Sequence, residues 1–147
     1  MQLLFTLGYE GLSTDDFIQL LQANNIEHVI DVRRNPISRK SGFSKTALLN
    51  ILALNKINYT HLVDLGTPKE IRSALKIDKN YECFFDKIKA YLESQEEVLN
   101  VALDIALSQI CVLLCFEREP LECHRSAVAA EIVRRSNLEL TVEHIEL

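Results

Sequence analysis

Chain breakers are scarce in this sequence: three prolines and four glycines are spread over 147 residues. No Pro/Gly-rich linker or low-complexity stretch interrupts it, which excludes extended disorder outside loop tips. Long apolar runs are missing as well. None approaches membrane-spanning length, so no membrane segment is expected. The opening MQLLFTLGYEG lacks a basic n-region and has only three apolar residues in a row before Thr6, so no secretory signal is expected and a cytoplasmic location follows. The most telling absence is of one charge sign. Between Asp31 and Asp64 there is no acidic residue, while Arg33, Arg34, Arg39, Lys40, Lys45 and Lys56 bring six positive charges to a chain whose net charge is -5. The overall charge excludes indiscriminate nucleic-acid binding, and the local concentration points to an anion site.

With 48% hydrophobic residues the chain can bury one core of ordinary size and no second one, so residues 1–147 are read as a single domain. Its four cysteines, Cys83, Cys111, Cys115 and Cys123, are expected in a reducing compartment to be reduced, metal-bound or catalytic instead of disulfide-paired.

Periodicity supplies the elements. LLFTLGY (3–9), HVIDV (28–32), NYTHLVDL (58–65), ICVLLCF (110–116) and TVEHIEL (141–147) have the length and composition of strands. ICVLLCF is apolar throughout, as a centre strand covered on both faces must be, and TVEHIEL alternates like an edge strand. Helix starts are read at Ser13–Asp16, at Ser44, and at Thr67-Pro68-Lys69-Glu70, with Thr67 as cap and Pro68 at the first helical position. Further helices are expected from Tyr81 to Leu92, from Glu96 to Leu107, and from about Cys123 to Arg135. The order β-α-β-α-β-α-α-β-α-β implies a three-layer α/β fold: a mostly parallel, open sheet of about five strands with helices on both faces, Rossmann-like.

In such a sheet, ligands sit in the crevice beyond the carboxyl ends of the strands. Polar residues crowd that edge: Tyr9 and Glu10 after the first strand, Asp31, Arg33 and Arg39 after the second, His61 at the third, and Glu117, Arg118, Cys123, His124, Arg125 and Ser126 after the fourth. Arginine forks suit phosphate or carboxylate, so Tyr9, Asp31, Arg33, Arg39, His61, Arg118, Arg125 and Ser126 are the candidate ligand-binding residues. Glu10, Glu117, Cys123 and His124 are the candidate catalytic ones. Asp31 and Arg33, two apart, face a ligand or simply pair with each other. Cys123 at a helix N-terminus is either an activated thiolate or a buried small hydrophobe. Gly8 and Gly11 serve a tight turn, and Gly42-Phe43-Ser44 is a candidate lid. His28 and His144 fall inside strands and are read as structural. Cys115, Cys123 and His124 match no paired Cys-x-x-Cys ligand pattern, so no metal and no cofactor is expected.

The succession TLGYEG, DVRRNPISRKSGFSK, HLVDLG and LLCFEREPLECHRSAVA closely resembles the prokaryotic family catalogued as domain of unknown function 488. That resemblance implies no particular activity. It places Tyr9, Glu10, Asp31, Arg33, Arg39, Cys115, Glu117, Cys123, His124 and Arg125 on motif positions. A weaker similarity is to rhodanese-like domains, which also carry DVR after an early strand and a cysteine loop ending in Arg-Ser. Here only His124 separates Cys123 from Arg125, which leaves no anion cradle of that kind, and the likeness stays an analogy.

The expected function is that of an enzyme, a hydrolase or transferase working without metal, on a phosphate-bearing small molecule or nucleic-acid end. Two alternatives stand beside it: a cysteine-dependent, sulfur-transfer-like enzyme using Cys123, and a non-catalytic module binding nucleic acid or protein through the 33–45 loop.

Overall fold

A computed structural model describes residues 2–146. Five strands, β1 (Gln2–Gly8), β2 (His28–Asp31), β3 (Asn58–His61), β4 (Cys111–Cys115) and β5 (Leu140–His144), form one sheet in the order β3-β2-β4-β1-β5. Every pairing is parallel. The helices are α1 (Thr14–Ala23), α2 (Lys45–Leu54), α3 (Lys69–Asp78), α4 (Tyr81–Glu93), α5 (Glu96–Ser108) and α6 (Arg125–Arg135). The fold is therefore the expected three-layer α/β architecture.

Side-chain alternation assigns the layers. Phe5, Leu7, Val29, Val112 and Leu114 point to one face and pack with Phe17, Ile18 and Leu21 of α1 and Leu48 and Leu52 of α2. Leu4, Ile30, Cys111 and Leu113 point to the other and pack with α4, α5 and α6. β4, apolar on both faces and wholly buried, occupies the centre, and β5 lies at an edge.

Several boundaries differ from expectation, each for a local reason. Three helices stand between β3 and β4, at the three places where the sequence marks helices, one more than the condensed β-α order counts. Pro68, with an extended ψ of 147°, occupies the N-cap position of α3 and no side chain caps that helix, so the helix begins one position later than expected. Ser13 caps α1 as read, its hydroxyl accepting from the Asp16 amide. Ser44 holds the cap position of α2 but its hydroxyl is bonded to the Ser38 backbone instead. The third strand stops at His61 and the chain then turns through Val63–Leu65. β5 ends at His144, and Leu147 lies outside the described residues. Phe43 cannot serve as a lid tip: its ring is fully buried and stacks on Tyr9 at 4.4 Å.

Candidate functional site

At the carboxyl edge the chain must end its parallel strands and turn β1, β2, β3 and β4 back, which leaves backbone amides and carbonyls to be satisfied by side chains. Two arginines do most of this, and neither is free. Asp31, completely buried, accepts from the Arg33 amide (3.1 Å), its Nε (2.8 Å) and its Nη2 (2.7 Å), and from the Tyr59 hydroxyl (2.6 Å). The remaining Arg33 nitrogen donates to the Tyr9 hydroxyl and to the Phe43 carbonyl. Asp31 and Arg33 thus pair with each other, and through Tyr9 and Phe43 the pair staples the basic loop to β1. Tyr59 is held protonated: burial pushes its phenol well above the ordinary value, and the Asp31 carboxylate adds to the effect. His61 donates from Nε2 to the Arg33 carbonyl and receives Lys45 on Nδ1.

Arg125 is the largest fully buried side chain. Its Nε donates to Thr6 Oγ1 (3.2 Å), Nη1 to Cys115 Sγ (3.3 Å) and the Glu117 carbonyl (2.5 Å), and Nη2 to the Arg118 carbonyl (3.1 Å). It makes no ion pair among the described residues. Burial lowers its pKa to about 10, so it stays charged at neutral pH. It braces the β4–α6 loop and lies behind the rim without lining a cavity.

His124 donates from Nε2 to the Val32 carbonyl (2.7 Å), which leaves Nδ1 as the bare nitrogen, 3.8 Å from Cys123 Sγ. Desolvation first, with Arg125 and Arg72 nearby, lowers its pKa to about 4, so the imidazole is neutral at pH 7. Glu10 accepts from the Arg118 amide, Ser126 donates to the Cys123 carbonyl, and both stand outside the cavity, as does the Arg118 side chain. Gly8 lies against the same loop: a Cβ there would overlap the Glu117 carbonyl.

The cavity has a volume of about 590 Å³, within the range of small-molecule sites. Of the candidate site residues, Tyr9, Arg33, Arg39, Glu117 and His124 line it. Asp31, His61, Cys123, Arg125, Glu10, Arg118 and Ser126 do not. Sequence reasoning missed the opposite wall, where α3 supplies Arg72 and Lys76, one helical turn apart, with Leu75, and α4 supplies Tyr81 and Phe84. Arg34, Lys40 and Cys115 also line it. Six cationic side chains therefore face two acidic ones, Glu117 and Glu122. Arg33 and Arg34 have partners. Arg39, Lys40, Arg72 and Lys76 make no side-chain hydrogen bond or ion pair among the described residues. Glu117 keeps solvent contact at the mouth, yet the crowding protein pushes its carboxyl above the usual range, opposed by Arg125 and Arg72.

Contrary to the expectation of unpaired cysteines, Cys115 and Cys123 are joined sulfur to sulfur, while Cys83 and Cys111 are free. With a Glu117 oxygen, the two sulfurs fall within 4.8 Å of one another. A soft divalent ion would need both as thiolates; here the bond between them and the Arg125 guanidinium on Cys115 work against a cation.

A family model described as domain of unknown function DUF488 matches residues 13–132. That span takes in Asp31, Arg33, Arg39, Cys115, Glu117, Cys123, His124 and Arg125 and stops short of Tyr9 and Glu10. No curated protein and no solved structure matches the chain.

Proposed function

We propose, from the premise that the chain belongs to the DUF488 family, that it is an enzyme acting on a phosphate-bearing molecule, a nucleotide or a nucleic-acid end, held in the cavity at the carboxyl edge of the sheet. The observation that carries this reading is the set of four uncommitted cations, Arg39 and Lys40 from the basic loop and Arg72 and Lys76 from α3, converging on one cavity. Like charges held together with few counterions in a partly enclosed site raise the local potential and favour an anion of more than one charge. The remaining wall, Leu75, Tyr81, Phe84 and Phe116, supplies apolar and aromatic surface against which a base can stack. Glu117 is the acid or base of choice, because it lines the cavity and the crowding protein raises its carboxyl above the usual range. Arg33 and Arg125, committed to internal partners, act as positioning residues. Cys123, buried and joined to Cys115, does not support sulfur transfer through a lone Cys123 thiolate.

Thermal-shift measurements with nucleoside phosphates, pyrophosphate and the matching nucleosides test the assignment, since only a ligand of the native state raises the melting temperature. Phosphorylated ligands are expected to stabilise the protein and nucleosides are not. Each of Arg72→Glu and Lys76→Glu should weaken binding by about tenfold, the value of one charge-assisted contact of about 1.5 kcal/mol. Stabilisation by nucleosides and phosphates alike would overturn the reading. A steep loss of oligonucleotide affinity with salt, with no nucleotide binding, would point instead to the non-catalytic nucleic-acid module. Glu117→Gln is expected to abolish turnover and leave binding intact.

A further inference from the structure

We propose that Cys115 and Cys123 form a redox-active dithiol/disulfide couple that is reached from the cavity and reduced preferentially by anionic low-molecular-weight thiols. The two cysteines close the loop between β4 and α6, one at the last residue of the central strand and the other two residues before the first turn of the helix. Both are only 1% exposed, but they are not equivalent: Cys115 lines the cavity and Cys123 does not. An incoming thiol therefore meets Cys115 first.

The surroundings suit the reduced state as well as the oxidised one. Arg125 is wholly buried and makes no ion pair among the described residues, Glu117 and Glu119 acting on it only at longer range, and its Nη1 lies 3.3 Å from Cys115 Sγ. A thiolate on Cys115 would be a counterion in direct contact with this guanidinium. Cys123 Sγ receives the Arg125 backbone amide at 3.4 Å, at the start of an 11-residue helix whose dipole favours negative charge there. The other sulfur of β4 shows what the pair escapes. Cys111 is enclosed among apolar side chains with Glu27 nearby, and burial pushes its thiol up to about 12.

Exchange proceeds in two displacements. A thiolate RS⁻ in the cavity attacks Cys115 Sγ, forming an R–S–S–Cys115 bond and breaking the Cys115–Cys123 bond. The electron pair of the broken bond stays on Cys123 Sγ, held by the Arg125 amide. A second RS⁻ attacks the R sulfur of this mixed disulfide, releasing RSSR and leaving the Cys115 thiolate against the Arg125 guanidinium. Two thiols are oxidised, one disulfide is reduced, and two electrons pass. The preference for anionic reductants rests on the cavity being an anion site; the couple itself does not.

The experiment uses the full chain carrying Cys83→Ser, with Cys111 as the internal buried control. After treatment with diamide, alkylation and peptide mass mapping should recover Cys115 and Cys123 as one linked pair. Reduction is then timed with mercaptoethanesulfonate and with neutral 2-mercaptoethanol. The sulfonate is expected to react faster by on the order of tenfold at low ionic strength, an advantage that collapses in high salt. Full alkylation of Cys115 and Cys123 in the diamide-treated protein would overturn the couple. Equal rates for the two reagents would overturn entry through a cationic cavity. Nucleotide-induced thermal shifts are recorded separately on the diamide-treated and the reduced protein, so failure of the couple and failure of the phosphate assignment are told apart.

Discussion

Replacing Asp31 with asparagine is the sharpest perturbation of the rim, because that one carboxylate collects four hydrogen bonds at a fully buried position. Asparagine can keep an oxygen where Oδ1 accepts from the Arg33 amide and Nε. At Oδ2 it sets an NH₂ against two donors, Arg33 Nη2 and the Tyr59 hydroxyl. Two bonds are lost and a nearly buried guanidinium is stripped of its counterion. Breaking a buried pair from one side costs about 3–5 kcal/mol, a large part of the roughly 5–15 kcal/mol available to a domain. The melting temperature should fall by about 10 °C. Urea unfolding followed by circular dichroism reads this directly as a lower midpoint at unchanged slope. Tyr59→Phe removes one of the four bonds and should cost about 1–2 kcal/mol. The double variant Asp31→Asn with Arg33→Gln should lose less than the sum of its parts, since the charge left unpaired by the first change is removed by the second. A loss below about 1 kcal/mol in Asp31→Asn would refute the claim that this pair anchors the loop.

His124, buried and neutral, predicts a pH effect of definite sign. Its folded pKa of about 4 lies below the ordinary 6.5, so its contribution is fully present above pH 6.5 and is lost as pH falls through 4, because the unfolded chain takes up the proton first. The difference is worth about 3 kcal/mol, and an imidazole that titrates near 6.5 by NMR would contradict it. The two glycines of the first turn should separate. Gly8→Ala drives a methyl into the Glu117 carbonyl, backbone that Arg125 holds in place, and should cost about 3 kcal/mol or more. Gly11, at φ +84° with open space around it, carries only the left-handed penalty of about 1 kcal/mol. Equal losses at the two positions would show that the close approach at Gly8 is not tight.

Periodicity and composition made the sheet legible: ICVLLCF is unbroken because β4 is covered on both faces, and the polar ends of the strands mark the edge where the cavity lies. The direction of a guanidinium is not written in that pattern. Arg125 reads as a ligand-binding residue until the register of β1 against β4 sets Thr6 and the loop carbonyls around it. The helix α3 is the converse case. With no fully buried residue it has the profile of a solvated surface helix, and Arg72 and Lys76 acquire meaning only once the end of β3 swings that helix opposite the basic loop. The two sulfurs meet for the same reason. A separation of eight residues says nothing until the loop from β4 to α6 folds back on itself.

The central claim is that a multiply charged phosphate enters the cavity between the basic loop and α3, and titration of the ¹⁵N-labelled protein with inorganic pyrophosphate tests it most directly. Saturable amide shifts confined to residues 34–40, 72–76 and 115–117 are the predicted result. Shifts scattered over the surface, or centred on the acidic patch at Ser94–Glu97, would contradict it.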